Sequence, residues 1–190
     1  MKKNSLGLKI LGILSLVILF SACNDDDEKI SGKQIRQALF DMKGTYHGNL
    51  EVSFYHGSEI VKIDSAKAIS RDSLSLVMPL GPIADIISDE HVAATLHDVE
   101  EVTFKAGYEF LQIDNDGYSI NFVLHPENII IPANGNTPDI TIVFSDSFGG
   151  NFEKAFNFIM FNVSPIEIRV GGVKLDSFKQ LVYHFRGEYE

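Results

Sequence analysis

Between Tyr118 and Leu124 the apolar residues Tyr118, Ile120, Phe122 and Leu124 alternate with Ser119, Asn121 and Val123. That two-residue period predicts a strand with one buried face. The same period recurs along the chain. Tyr46, Leu50, Val52 and Phe54 share a parity against Thr45, His47, Glu51 and Ser53, and Leu74, Leu76 and Met78 share one ahead of Pro79. Val102, Phe104 and Ala106 lead on to Phe110, Leu111 and Ile113, while Ile140, Ile142 and Phe144 precede Gly149 and Gly150. Further runs are Phe156, Phe158 and Met160, then Ile166, Ile168 and Val170, then Val173 and Leu175, and finally Leu181, Tyr183 and Phe185. Val61 and Ile63 begin a return strand over 59–69, but Ser65 and Lys67 break its alternation.

Turn residues punctuate these runs: His56-Gly57, Asn115-Asp116-Gly117, the loop 132–138, Gly149-Gly150 and Gly171-Gly172. Ile129, Ile130 and Ile131 are expected to form a short edge strand. Two segments carry a helical period instead. In 30–42, Ser31 is placed to cap a helix whose Ile35, Leu39 and Met42 fall on one face with Phe40 beside them, and Gly44 ends it. In 83–96 a short apolar turn, Ile83 to Ile87, is followed by a second turn capped by Asp89 and running to Leu96. About nine or ten strands with no long βαβ alternation imply a mainly antiparallel sheet. The expected fold is mainly β: a single barrel-like domain over 30–190, closed or half-closed, with an N-terminal helix and a small helical insertion. A two-sheet sandwich is the alternative.

Ahead of that domain, Lys2, Lys3 and Lys9 precede an apolar stretch from Ile10 to Phe20, a signal-peptide layout over residues 1–22. The stretch is about half of the ~20 residues a membrane-spanning helix needs. The residues Phe20-Ser21-Ala22-Cys23 resemble the lipobox of bacterial lipoproteins, which implies that Cys23, the single cysteine, becomes the lipid-bearing first residue of the mature chain. Asn24-Asp25-Asp26-Asp27-Glu28 belongs to a solvated acidic tether, 23–29, and resembles the export tag of surface lipoproteins in Bacteroides-type bacteria.

Loss of residues 1–22 removes three lysines and no acid, leaving 13 basic against 26 acidic side chains and a net charge of −13. Nucleic acid is therefore not an expected partner. With 14 Phe, 6 Tyr and no Trp, aromatic burial falls to phenylalanine.

Candidate chemistry is sparse. The six histidines, His47, His56, His91, His97, His125 and His184, lack the spacing of a zinc site, and no metal or cofactor is expected. Asp114-Asn115-Asp116-Gly117 reads as a hairpin turn, because an EF-hand calcium loop would need an acid where Gln112 stands and a glutamate where Val123 stands. Glu100 and Glu101 are neighbours on a strand and cannot converge on one bond. Gly149-Gly150 and Gly171-Gly172 read as turns, and there is no G-x-S-x-G elbow. No catalytic residue is assigned, and the chain is not expected to be an enzyme.

Gly44-Thr45-Tyr46-His47-Gly48-Asn49-Leu50, after a short helix and opening the first strand, resembles the start of calycin-like and lipocalin-like barrels, including uncharacterised lipoprotein families of Bacteroides-type bacteria. In lipocalins a tryptophan at this place closes the barrel floor and a basic residue near the last strand packs on it. The resemblance implies Tyr46 and Arg186 as the corresponding pair here. The expected role is an outer-membrane, surface-exposed lipoprotein that binds a small apolar molecule or a glycan, with the membrane as partner through its lipid. The alternative is an interaction subunit of an envelope assembly without a ligand pocket.

Overall fold

A computed structural model describes residues 30–190 except 55–59, 115, 117, 136 and 177–179. The signal segment, Cys23, the acidic tether, the His56-Gly57 turn, and Asn115 and Gly117 of the Asp-Gly turn lie outside the described residues.

The chain forms α1 (Gly32–Asp41), β1 (Gly44–Phe54), β2 (Ile60–Ser70), β3 (Leu74–Pro79), α2 (Gly81–Ala84), α3 (Glu90–Val99), β4 (Glu101–Ile113) and β5 (Ser119–Pro126). It continues through β6 (Ile129–Ile131), β7 (Ile140–Phe144), β8 (Gly149–Glu153), a 3₁₀ turn (Lys154–Phe156), β9 (Phe158–Val163), β10 (Pro165–Val170), β11 (Val173–Lys174) and β12 (Leu181–Tyr189). Eight strands close on themselves in the order β1-β12-β9-β8-β5-β4-β3-β2, every pair antiparallel, and β11-β10-β7-β6 form a separate four-stranded sheet. The barrel, and not the sandwich, is the fold.

Inward positions around the barrel are taken by apolar side chains. Leu50, Val52, Ala68, Leu74, Leu76, Met78, Phe104, Ile120, Leu124, Ile159 and Tyr183 have no exposed surface at all. Rings fill the axis: Phe161 stacks on Phe185 with centroids 5.0 Å apart, and Tyr46 meets Phe152 edge-on at 6.4 Å. Eight strands leave a bore about as wide as the side chains that fill it. Outward positions carry Glu51, Lys62, Lys105, Glu109, His125 and Glu153, so the apolar side is inside, the inverse of a membrane-spanning barrel.

Both mouths are covered. At one, α1 starts from a capping box in which Ser31 Oγ accepts from the Gln34 backbone N–H and Gln34 Oε1 accepts from the Ser31 backbone N–H at 2.8 Å. The face it buries is Ala38 and Met42, with Tyr46 donating its hydroxyl to Met42 O at 2.7 Å. Ile35 and Phe40, expected on or beside the buried face, are exposed, because the helix meets the barrel mouth along a narrow i, i+4 stripe. At the other mouth β3 ends in Pro79, and the connection through α2 and α3 buries Leu80, Ile83, Val92 and Leu96. The four-stranded sheet joins them there, Phe144 meeting Phe104 edge-on at 5.0 Å.

Two local expectations are corrected and one is met. β9 buries Ile159, Phe161 and Val163, while Phe156 lies in the 3₁₀ turn and Met160 faces out. Gly149 and Gly150 are strand residues of β8, not a turn: a Cβ on Gly149 would lie 1.9 Å from the Phe122 carbonyl oxygen, so the strands approach there only because it is glycine. Gly171 and Gly172, with φ of 56° and 80°, do make the expected turn.

Candidate functional site

Strand alternation that fills the barrel with apolar rings also sets a row of polar side chains on its outer wall. Asn121 on β5 stands opposite Asn151 on β8, Asn151 opposite Met160 on β9, and Met160 opposite Arg186 on β12. One step along, Asn162 on β9 stands opposite His184 on β12. Gly149 places no side chain in this row, and a shallow open groove of about 290 Å³ results, lined by Asn121, Asn151, Met160, Asn162, His184 and Arg186.

The groove's polar groups are held in place by one another. Asn151 Nδ2 donates to Ser119 Oγ at 2.8 Å and to Asn121 Oδ1 at 2.9 Å. Its own Oδ1 is buried with no donor among the described residues. His184 Nδ1 bonds Asn162 Oδ1 at 2.7 Å, and His184 Nε2 bonds Ser53 Oγ on β1 at 2.8 Å. Burial first, then the neighbouring Arg186 guanidinium, holds the His184 imidazole below the ordinary histidine value against the opposing pull of Glu51. The ring is therefore neutral at pH 7.

Tyr46 and Arg186, expected to close the barrel floor together, point to opposite sides of the wall. Tyr46 is inside, its ring edge-on to Tyr189 at 6.0 Å, whereas Arg186 is outward and exposed. The reason is parity: Tyr183, Phe185 and Gly187 take the inward positions of β12, so Arg186 between them turns out. Arg186 instead contributes charge to the groove, a place the resemblance did not suggest.

The remaining described histidines are not gathered. His47 pairs with Glu190 at 3.0 Å, His97 with Asp85 at 3.2 Å and His125 with Glu109 at 2.8 Å, each exposed, and His91 is exposed near the start of α3. Such surface pairs contribute ~0–1 kcal/mol. Among the described residues no three His, Cys, Asp or Glu side chains come together to hold a metal ion. Glu100 caps α3 with φ 62° while Glu101 opens β4, so the pair does not converge.

What the fold and site define is an eight-stranded closed antiparallel barrel with a filled interior, two covered mouths and a polar groove on its outer wall. Comparison with protein-family models, characterised proteins and solved structures found no match.

Proposed function

We propose that this chain is a surface lipoprotein of the bacterial envelope, held by lipid on Cys23, whose barrel binds a glycan fragment in the groove on its outer wall. The observation that carries the reading is the position of the polar groove on the outer wall of a barrel whose described inward side chains are packed against one another. Each carboxamide carries two donors and an acceptor, groups that vicinal hydroxyls match. Arg186 adds a planar cation for an acidic substituent. Of the two ligand classes expected from the sequence, the carboxamides and Arg186 favour the glycan, with Met160 offering an apolar face to a sugar ring.

The membrane part of the reading has separate support. Phe40, Phe156 and Tyr189 are exposed on one rim, tied together by the Asp41–Lys154 ion pair at 2.9 Å and the Tyr189 N–H to Asn157 O bond at 2.9 Å. This is the rim at which α1 lies, and Tyr189, with its apolar ring and polar tip, suits a membrane–water interface.

Full-length protein in detergent should retain oligosaccharides, acidic ones best, in a calorimetric titration, and Arg186→Ala should weaken binding about tenfold or more. Retention unchanged by Arg186→Ala, or no retention across neutral and acidic glycans, would shift the assignment to an interaction subunit. For the anchor, Cys23→Ala should abolish incorporation of labelled fatty acid; persistent labelling of that variant rules the anchor out.

A further inference from the structure

Three strands that neighbour one another in the wall, β1, β12 and β9, bring Ser53, His184 and Asn162 into one hydrogen-bonded line. The Ser53–His184 contact, 131 residues apart, exists because β1 closes on β12, while His184 and Asn162, 22 apart, face each other across the β9–β12 pair. The order of atoms matches one arrangement of the protons. Asn162 Oδ1 is an acceptor, so His184 Nδ1 carries the ring proton, and Nε2 is left to accept from the Ser53 hydroxyl. That is the tautomer a general base needs, and it is the logic of a serine nucleophile, an imidazole base and a third group that orients the base.

We propose that Ser53, His184 and Asn162 form a hydrolytic relay that cleaves an oxygen ester of an acylated, hydroxyl-bearing ligand lying in the groove. In the first step Ser53 Oγ bonds to the carbonyl carbon while its proton passes to His184 Nε2. The tetrahedral intermediate then expels the alcohol oxygen, which takes that proton from Nε2, and an acyl ester remains on Ser53. In the second step water attacks the same carbon, giving its proton to His184 Nε2, and Ser53 leaves as the alcohol. The net reaction consumes one ester and one water and yields one carboxylic acid and one alcohol.

The groove supports this assignment of substrate. Ser53 stands one strand beyond His184, outside the groove's own lining, so an alcohol held by Asn121 and Asn151 has to present its acyl group across the imidazole to reach Ser53. Arg186 occupies the next outward position on β12, on the side of His184 away from Ser53, and places a cation beside the bound alcohol part of the ligand. An ester suits an open groove better than an amide does, because its leaving alcohol needs less proton assistance. Asn162 is a positioning residue, acting on the ester only through the ring it orients.

The groups facing His184 are Glu51 on β1, itself paired with Lys62 on β2 at 3.4 Å, and Arg186 on its own strand; β9 presents Asn162 and Met160. The base form must be present for reaction, so the rate rises with pH to a plateau, and with the imidazole held low the inflection of that rise lies below the ordinary value of about 6.5.

The test uses full-length protein in detergent, p-nitrophenyl acetate as the ester and a fluorophosphonate as the trapping reagent, with peptide mass mapping. The proposal expects a single adduct on Ser53 and ester hydrolysis that falls about a hundredfold or more in Ser53→Ala and in His184→Gln. Asn162→Asp keeps the acceptor and adds a charge, so it should retain labelling with the inflection of the pH profile moved upward. Ser53→Ala removes only one hydroxyl from a partly exposed strand position, and circular dichroism establishes that it folds. Adducts scattered over other serines, no adduct on Ser53, or hydrolysis unchanged in folded Ser53→Ala would overturn the relay. These probes carry no sugar, so failure here leaves the glycan reading standing, and glycan binding that persists in Ser53→Ala separates the two.

Discussion

Ser65 carries the backbone through the left-handed region at φ 63°, in the middle of β2. Around it the register with β1 slips, Gly48 facing Ala66 but Leu50 facing Ile63, so β2 holds one residue more than β1. The slip flips the parity of β2, and its inward set becomes Ala66, Ala68 and Ser70 where Val61 and Ile63 had set the opposite one. A break in alternation visible in the sequence at Ser65 is thus the bulge itself. A left-handed conformation costs an L-residue roughly 1–2 kcal/mol, while glycine adds about 0.5–1 kcal/mol of chain entropy. Ser65→Gly should therefore stabilise the fold by up to about 1 kcal/mol, read as a raised urea midpoint at unchanged slope; a lowered midpoint would show that the serine hydroxyl matters more than the backbone.

At the scale of elements, strands were legible wherever one parity alone is apolar. β3 and β5, with Leu74, Leu76 and Met78 and with Ile120, Phe122 and Leu124 inward, follow the sequence pattern closely. β9 did not, since Phe158, Ile159, Met160 and Phe161 are apolar on both parities and only its partners on β8 and β12 decide which side is buried. The helical insertion was legible from its cap, where Asp89 Oδ1 accepts from the His91 and Val92 backbone N–H groups. The groove was not legible at all. Asparagine, serine and histidine at outward strand positions look in sequence like ordinary solvated residues, and only the order β5-β8-β9-β12-β1 in the closed wall brings them side by side. The one trace available beforehand was the concentration of carboxamides at outward positions, Asn121, Asn151 and Asn162, on strands whose other face is aromatic.

For the whole molecule, three inward-pointing phenols tie the core to pH. Burial raises Tyr46, with Tyr189 adding to it, and burial raises Tyr183, with Asp85 adding. Burial also raises Tyr108, its bond to Ser70 Oγ at 2.7 Å opposing and Tyr46 adding. A group raised in the folded state contributes stability that is complete below its unfolded value, about 10 for tyrosine, and is lost as pH climbs through the folded value. Unfolding in alkali should thus begin above about pH 10, with these three of the six tyrosines ionising only as the fold is lost. Ultraviolet phenolate absorbance followed alongside circular dichroism checks it, and ionisation of all six ahead of any loss of structure would contradict the burial argument.

The seam of the barrel is the pairing of β1 with β12, nine residues of each in register from Tyr46 opposite Tyr189 to Phe54 opposite Leu181. Strands about as far apart in the chain as this fold allows must therefore meet before any edge is sealed, which places the molecule among slow, high-contact-order folders. A growing chain that lacks β12 presents β1 and β9 as open edges, each a template for another copy. The span between emergence of β1 and arrival of β12 is thus the interval in which self-association through those edges competes with closure of the wall.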